Sequence, residues 1–318
     1  MKQKQFEHIN TPIWDTLEKI LDGETSGDAL RRLPQLYRSL CQHLALANER
    51  FYSLALIERL DDLAMRAHQR LYQQRASQRL SPLTFFSETF PAAVRKHWRW
   101  ILAATSIFYL PLLLMILWLQ ADPDLIYAIM DNTTISSLEE MYQPEHSRIG
   151  AARDAETDLG MFGFYIYNNT SIGFRNYASG LLFGIGTLLI LLFNSLYIGA
   201  AAGHITQIGY SSTFWPFVAG HSAFELTAIV ISAAGGLKLG FSLLAPGRRK
   251  RLDALRQAAL ETAPLIGGAA AMFLLAAFVE AFWSSRGDVP AHIKYAVGAV
   301  LWAVMLAYFS LVGKRHGS

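Results

Sequence analysis

Apolar and polar positions follow two regimes along this chain. Up to about residue 80 the apolar residues recur every three or four positions. Leu30, Leu33, Tyr37, Leu40, Leu44 and Ala47 make one stripe, and Ile57, Leu60, Ala64, Ala67 and Leu71 make a second. That spacing belongs to amphipathic helices with one buried face. A shorter piece around Trp14–Leu21 precedes them, set off by the breaker-rich Asp22–Asp28. The pattern predicts a three-helix domain over residues 1–80 whose stripes are buried against one another. Arg31, Arg38, Arg59, Arg66, Arg70 and Arg75 fall on the opposite faces and read as a solvated surface.

Ser81-Pro82 breaks the period. Leu83–Arg99 then interleaves Phe85, Phe86, Phe90, Val94 and Trp98 with Arg95, Lys96, His97 and Arg99, the mixture expected of an interfacial elbow over residues 81–99 lying among lipid headgroups. From residue 100 the stripes widen into continuous apolar runs. Trp100–Leu119 holds no charged residue in 20 positions, and Tyr177–Ala202 none in 26. About 20 such residues, rising about 1.5 Å each, cross a hydrocarbon layer about 30 Å thick. Residues 100–318 are therefore expected to form a membrane domain with five hydrophobic segments: Trp100–Leu119, Leu181–Ala202, Phe214–Leu244, Pro264–Trp283 and Tyr295–Val312. The fold class is all-α: a polytopic helical membrane protein with an N-terminal cytoplasmic helical domain.

Composition agrees. Apolar residues make up 52% and charged residues 17%, against about 25% charged in an ordinary globular chain. A net charge of +3 is too small to argue for nucleic acid. The single cysteine, Cys41, excludes an intrachain disulfide. The N-terminal stretch MKQKQFEHIN lacks the apolar core and cleavage site of a signal peptide, so an internal span is expected to direct insertion.

Charge placement orients the spans. Gln120–Gly160 carries nine acidic residues and two basic ones, Arg148 and Arg153. Arg95, Lys96 and Arg99 lie on the other side of the first span, which puts the N-terminus in the cytoplasm and the acidic loop 120–160 outside. The cluster Arg248-Arg249-Lys250-Arg251 also belongs inside, as do Lys314, Arg315 and His316. A full crossing by 214–244 would leave the Arg248 cluster outside. A re-entrant or broken hairpin there, interrupted at Gly235-Gly236, resolves the parity.

Three constellations stand out. Gly180, Gly184 and Gly186, with Gly199 and Gly203 further on, are spaced to let another backbone approach closely, either a second subunit or a helix of the same chain. His221 and Glu225 are four apart, so they meet on one helix face inside an apolar segment, where ionisable groups mark a site with a partner. No third metal ligand is evident beside them; His204 is a distant candidate, and the expectation is no metal and no cofactor. Asn168 and Asn169 precede the second span, and Asn194 within it is expected to bond across helices. Glu280 reads as an interfacial side chain that snorkels. No GxxxxGK[ST], GxSxG or zinc spacing occurs, and no catalytic residue is assigned.

The stretch Asn168-Asn169, Gly180, Gly184-Ile-Gly186-Thr187, Asn194 and Gly199, followed by His221-Ser-Ala-Phe-Glu225-Leu-Thr-Ala-Ile and Ala233-Ala-Gly-Gly-Leu, resembles the membrane domain of the stage II sporulation protein M (SpoIIM-like) family. Trp14 with Leu17-Glu18, Leu33-Pro-Gln-Leu-Tyr37-Arg38, Leu44-Ala-Leu-Ala47 and Arg66-Ala67-His68 with Tyr72 resemble the soluble domain of its non-sporulating bacterial branch. Ser195 stands where a glycine is usual, Thr227 where a proline is, and Asp61 in place of a common asparagine. In spore formers such proteins work with peptidoglycan-degrading partners during engulfment. The resemblance implies a bacterial inner-membrane location, and partners of the MoxR-type AAA+ ATPase and von Willebrand factor A-like classes. The reading that follows is a non-enzymatic, homo-oligomeric component that anchors or assembles an envelope-remodelling machine in the lipid bilayer. A transporter or lipid translocase built on His221 and Glu225 is the alternative, and an intramembrane hydrolase lacks a nucleophile.

Overall fold

The computed structural model describes residues 2–22, 27–79, 81–144 and 155–313, with the side chains of 27–31, 72–79 and 155 excepted. Arg148, Arg153, Lys314, Arg315 and His316 lie outside the described residues, as do the side chains of Leu30, Arg31, Tyr72 and Arg75. Among the described residues there are helices and no strand. The chain divides into two compact units between Thr84 and Phe85.

The first unit is built from α1 (Gln3–Leu21), α2 (Gly27–Glu49) and α3 (Leu54–Arg79), with the helical turn α4 (Pro82–Thr84) at its end. Its core takes Phe6, Trp14, Leu17 and Ile20 from α1, Leu33, Leu40 and Ala47 from α2, and Leu60, Leu63 and Ala67 from α3. The stripes of α2 and α3 bury as their spacing requires. The first helix is longer than the expected Trp14–Leu21, because Phe6 continues its apolar face by two more turns and is 1% exposed. The Trp14 indole donates to His43 Nδ1 at 3.1 Å, satisfying a buried polar atom between α1 and α2. Arg59 reaches Asp15 and Glu18 at 3.3 and 3.2 Å, and Arg66 reaches Asp22, so these arginines also tie α3 to α1. Both are well exposed, and such pairs contribute about 0–1 kcal/mol each.

In the second unit a π-helical turn (Phe85–Thr89) and α5 (Phe90–Lys96) precede α6 (Trp98–Ala121). Then come a 3-10 turn (Pro123–Ala128), α7 (Asn132–Tyr142), α8 (Ala155–Ala178), α9 (Ile185–Gln207), α10 (Ser211–Leu244), α11 (Arg251–Val279) and α12 (Ala291–Leu311). Five helices are long and apolar enough to cross a membrane: α6, α9, α10, α11 with the π-helical turn that extends it to Ser284, and α12. The chain is a polytopic all-α membrane protein.

The contacts between helices fix their directions. Ser195 bonds the Phe108 carbonyl, Gly199 faces Leu112, and Gly203 faces Ile116 and Leu119. Both numbers rise together, so α6 and α9 are parallel. A return crossing must lie between them, and α8 makes it. Its Asn169 meets Glu280, its Gly173 meets Phe273, and its Tyr177 hydroxyl bonds Thr262 Oγ1 at 2.9 Å, antiparallel to α11. Gly173 against Ser232 and Tyr177 against Gly235 run parallel to α10. At the C-terminal side Gly298 faces Ala219, and Trp302 donates to Ser222, so α12 is also parallel to α10. The chain thus traverses this unit six times: α6, α8, α9, α10, α11, α12.

This corrects the expected hairpin. Residues 211–244 form one helix of 34 residues, unbroken at Gly235-Gly236. These glycines are there for packing: a Cβ on Gly236 would lie 2.5 Å from the Asn176 carbonyl, and one on Gly235 would lie 3.0 Å from the Tyr177 ring. The parity conflict is resolved by α8, whose polar Asn168-Asn169-Thr170-Ser171 and Arg175 hid it among the apolar runs. With six traversals, Arg95, Lys96 and Arg99, Arg175, and the Arg248–Arg251 cluster all come to one end of the unit. The acidic segment after α6 comes to the other.

The elbow is packed into the unit as well as amphipathic. Phe90 is 1% exposed and fills the space over Gly268 of α11. Arg95 donates to the carbonyls of Phe309 and Val312 at 3.0 and 2.7 Å, capping α12 at its C-terminal end, where carbonyls lack intrahelical partners.

Candidate functional site

Four traversals converge on one polar cluster. His221 and Glu225 stand in the first half of α10 and face the same side, as their spacing demands, with Nε2 of the imidazole 3.6 Å from the nearer carboxylate oxygen. Facing them is the π-helical turn Glu280–Ser284 that closes α11. The wider winding of a π turn reorients side chains locally and often marks functional sites. It carries two partners for α10. The Ser284 hydroxyl lies 3.1 Å from His221 Nδ1, and the Glu280 side chain enters the same space. From α8, the Asn169 amide donates to Glu280 at 3.4 Å. From α12, Lys294 donates its ammonium to the Ser284 carbonyl at 2.8 Å. Gly220 permits the approach, since a Cβ there would sit 2.7 Å from Ser284 Oγ.

One ligand atom each from His221, Glu225 and Glu280 lie within 4.8 Å of one another. Two of them are buried, Glu280 at 8% exposed and His221 at 5%, and Glu225 is partly buried. Among the described residues no Lys or Arg pairs with either carboxylate, and Glu225 accepts no hydrogen bond. Two carboxylates at membrane depth need a compensating positive charge. The geometry can accommodate a shared proton or one divalent cation, with Ser284 fixing Nδ1 so that Nε2 faces the carboxylates.

Glu280 is the group that sequence reasoning misplaced. Counting from the end of an apolar run put it at the interface as a snorkelling residue, whereas the π turn rolls it inward onto Asn169. It, not His204, is the third member of the cluster. His204 sits at the far end of α9, where its Nε2 pairs with Glu139 of α7 at 2.7 Å. The pattern of Glu280 and Ser284, four apart like His221 and Glu225, was the available signal.

A model of the family described as stage II sporulation protein M matches residues 100–285, more than half of the 318 residues. The chain belongs to that family. A second match, to a domain of unknown function (DUF8413), covers residues 4–73 in the N-terminal unit. No curated protein and no solved structure matches the chain.

The other residues singled out in this stage II sporulation protein M family member are structural in their contacts. Asn194 bonds the Ile190 carbonyl one turn back at 2.8 Å, within its own helix, contrary to the expected cross-helix bond. Its neighbour Ser195 makes that cross-helix contact instead, to Phe108. Asn168 is exposed and leans on Asn169 at 3.2 Å. The glycines do not form one helical face. Gly180 and Gly184 belong to the reversal between α8 and α9, with Gly184 at φ 82 as the N-cap of α9. A Cβ on Gly180 would be 2.2 Å from the Gly236 carbonyl, and one on Gly186 2.5 Å from the Ser179 carbonyl. Gly199 and Gly203 meet α6. All five are used for packing within the chain, which leaves them no free face for a second copy.

Proposed function

We propose that this chain is a non-enzymatic integral component of a bacterial inner membrane that anchors or assembles an envelope-remodelling machine, with the N-terminal unit as the cytoplasmic receiver of a partner. The observation that carries this reading is the two-unit architecture. An amphipathic three-helix unit with its own core is joined in sequence to the end of the membrane unit where its basic residues gather. Basic residues collect on the cytoplasmic side. Six traversals then return the C-terminal end of α12 to the same side, next to Lys314 and Arg315 in sequence. Partners of the MoxR-type AAA+ ATPase and von Willebrand factor A-like classes remain the proposal from family resemblance. Self-association belongs to the same proposal: a mass in mild detergent that is a multiple of 35.5 kDa supports it, and a monomer mass removes it.

The topology is tested by single-cysteine labelling in a background lacking Cys41. Positions Asp61 and Arg249 should react only when the cytoplasmic side is accessible, and Glu140 only from outside. Labelling of position 249 from outside would end the six-traversal assignment of sides, and with it the cytoplasmic receiver.

A second reading, a transporter or lipid translocase, is favoured by one observation: the carboxylates of Glu225 and Glu280 gathered beside His221 inside the membrane unit, with no Lys or Arg paired to either among the described residues. Broken helices and ionisable groups near the midplane are typical of transporter sites. Here α10 is unbroken, and the local irregularity is the π turn at Glu280.

A further inference from the structure

A second polar site lies at the opposite end of the unit, where the chain enters α6. A cavity of about 360 Å³ opens there, bounded by the α5–α6 junction, Lys238 of α10 and Glu261 of α11. Its charges do not balance. Lys96, Arg99 and Lys238 bring three cations, and Glu261 is the one carboxylate, engaged with Lys96 at 3.7 Å. Lys238 has no ion pair among the described residues. His97 also lines the cavity; it is 5% exposed, and its Nε2 is buried without a hydrogen-bond partner. A buried polar atom left unsatisfied is destabilising, so a ligand that supplies its partner is favoured here.

We infer that this cavity seats the phosphate of an anionic phospholipid headgroup. Arg99, Lys238 and His97 line the cavity with donors from α6, α10 and the α5–α6 junction, around a site with two positive charges in excess, the complement of phosphate oxygens. Basic pockets between membrane helices on the cytoplasmic side bind such headgroups. Burial, followed by Lys96 and Lys238, holds the His97 pKa below its ordinary value, with Glu261 opposing. The imidazole is therefore neutral without a ligand and gains a partner when an anion arrives. The location selects a lipid over a soluble anion. The Arg99 guanidinium lies over the Trp98 ring at 5.6 Å from its centroid, and Trp100 packs on Phe241 at 5.2 Å, an aromatic belt at headgroup level. Trp98 and Leu102, one turn apart on α6, are 56% and 55% exposed and offer an apolar track along which acyl chains can run.

The test is thermal melting of the full-length protein in mild detergent with added phosphatidylglycerol, phosphatidylcholine or inorganic phosphate. Phosphatidylglycerol at about 100 times its Kd should raise Tm by roughly 5–10 °C, while phosphatidylcholine should not. Lys238→Gln and Arg99→Gln should each remove most of that shift while leaving Tm in phosphatidylcholine close to the unmodified value, which shows the variants folded. An equal shift from phosphatidylcholine, or an undiminished shift in both folded variants, would overturn the inference. A saturating shift of the same size from inorganic phosphate would reassign the cavity to a soluble anion and equally end the lipid assignment.

Discussion

Gly240→Ala is expected to prevent the membrane unit from accumulating in folded form. The added Cβ would lie 2.1 Å from the Gly184 nitrogen and 2.2 Å from its Cα, and both are backbone atoms that no rotamer change can move. Gly184 is held at φ 82 as the N-cap of α9, so the reversal 179–184 cannot shift without disturbing two helix ends. Overpacking of a well-fitted core costs about 1–3 kcal/mol, and more where backbone must yield. The matched control is Gly163→Ala on α8, where a Cβ meets nothing within 4 Å. Relief of glycine's backbone entropy there should leave stability unchanged or raise it by about 0.5–1 kcal/mol. Fluorescence-detected size exclusion of both variants checks the pair. A monodisperse Gly240→Ala peak with unchanged Tm would show that α9 and α10 do not approach as described.

The same reversal shows where sequence reading reached its limit. The stripes of α2 and α3, and four long apolar helices of the membrane unit, were legible because burial against protein or lipid imposes a period or a run length on the residues themselves. Gly235-Gly236 was misread because a glycine pair looks the same whether it breaks a helix or lets a neighbour touch it; the difference lies in Asn176 and Thr187, which sequence spacing does not bring near. The α8 helix was obscured for the converse reason. Its membrane-depth residues include Asn168, Asn169, Thr170 and Ser171, and hydropathy cannot register that Asn169 is 1% exposed and turned toward Glu280 rather than toward lipid. The clue was the parity conflict: basic residues at Arg248 and at the C-terminus require an even number of crossings between them and Arg95. Either a hairpin or a sixth helix satisfies that count, and only the parallel register of α6 with α9 selects the helix.

Replacing Glu225 and Glu280 should separate the roles open to the buried cluster. With the pair holding the unit together, Glu225→Gln is expected to be mild, because the amide keeps size and can accept from His221 or donate to Glu280. Glu225→Leu should lower stability by about 1–3 kcal/mol, since the imidazole Nε2 then faces an apolar side chain at a depth where water does not replace the lost partner. Glu280→Leu should be at least as costly, because it strands the Asn169 amide, which has no other acceptor than Glu280 among the described contacts. The double change of Glu225 and Glu280 to Leu should cost more than the sum of the two, as either single change already relieves the mutual repulsion of the carboxylates and the sum counts that relief twice. A site that relays protons or carries a substrate behaves differently. There Glu225→Gln abolishes cellular function while Tm and expression are unchanged, because the amide preserves shape and loses only the ionisable proton. A bound divalent cation has its own signature: stoichiometric metal in the purified protein, lost on Glu225→Gln, and a chelator that lowers Tm. Melting, metal content and complementation on the same variants read all three. The structural outcome is the expected one, since Asn169, Ser284 and Lys294 already bind three of the four traversals to this point, and full function with glutamine at position 225 would exclude the proton relay.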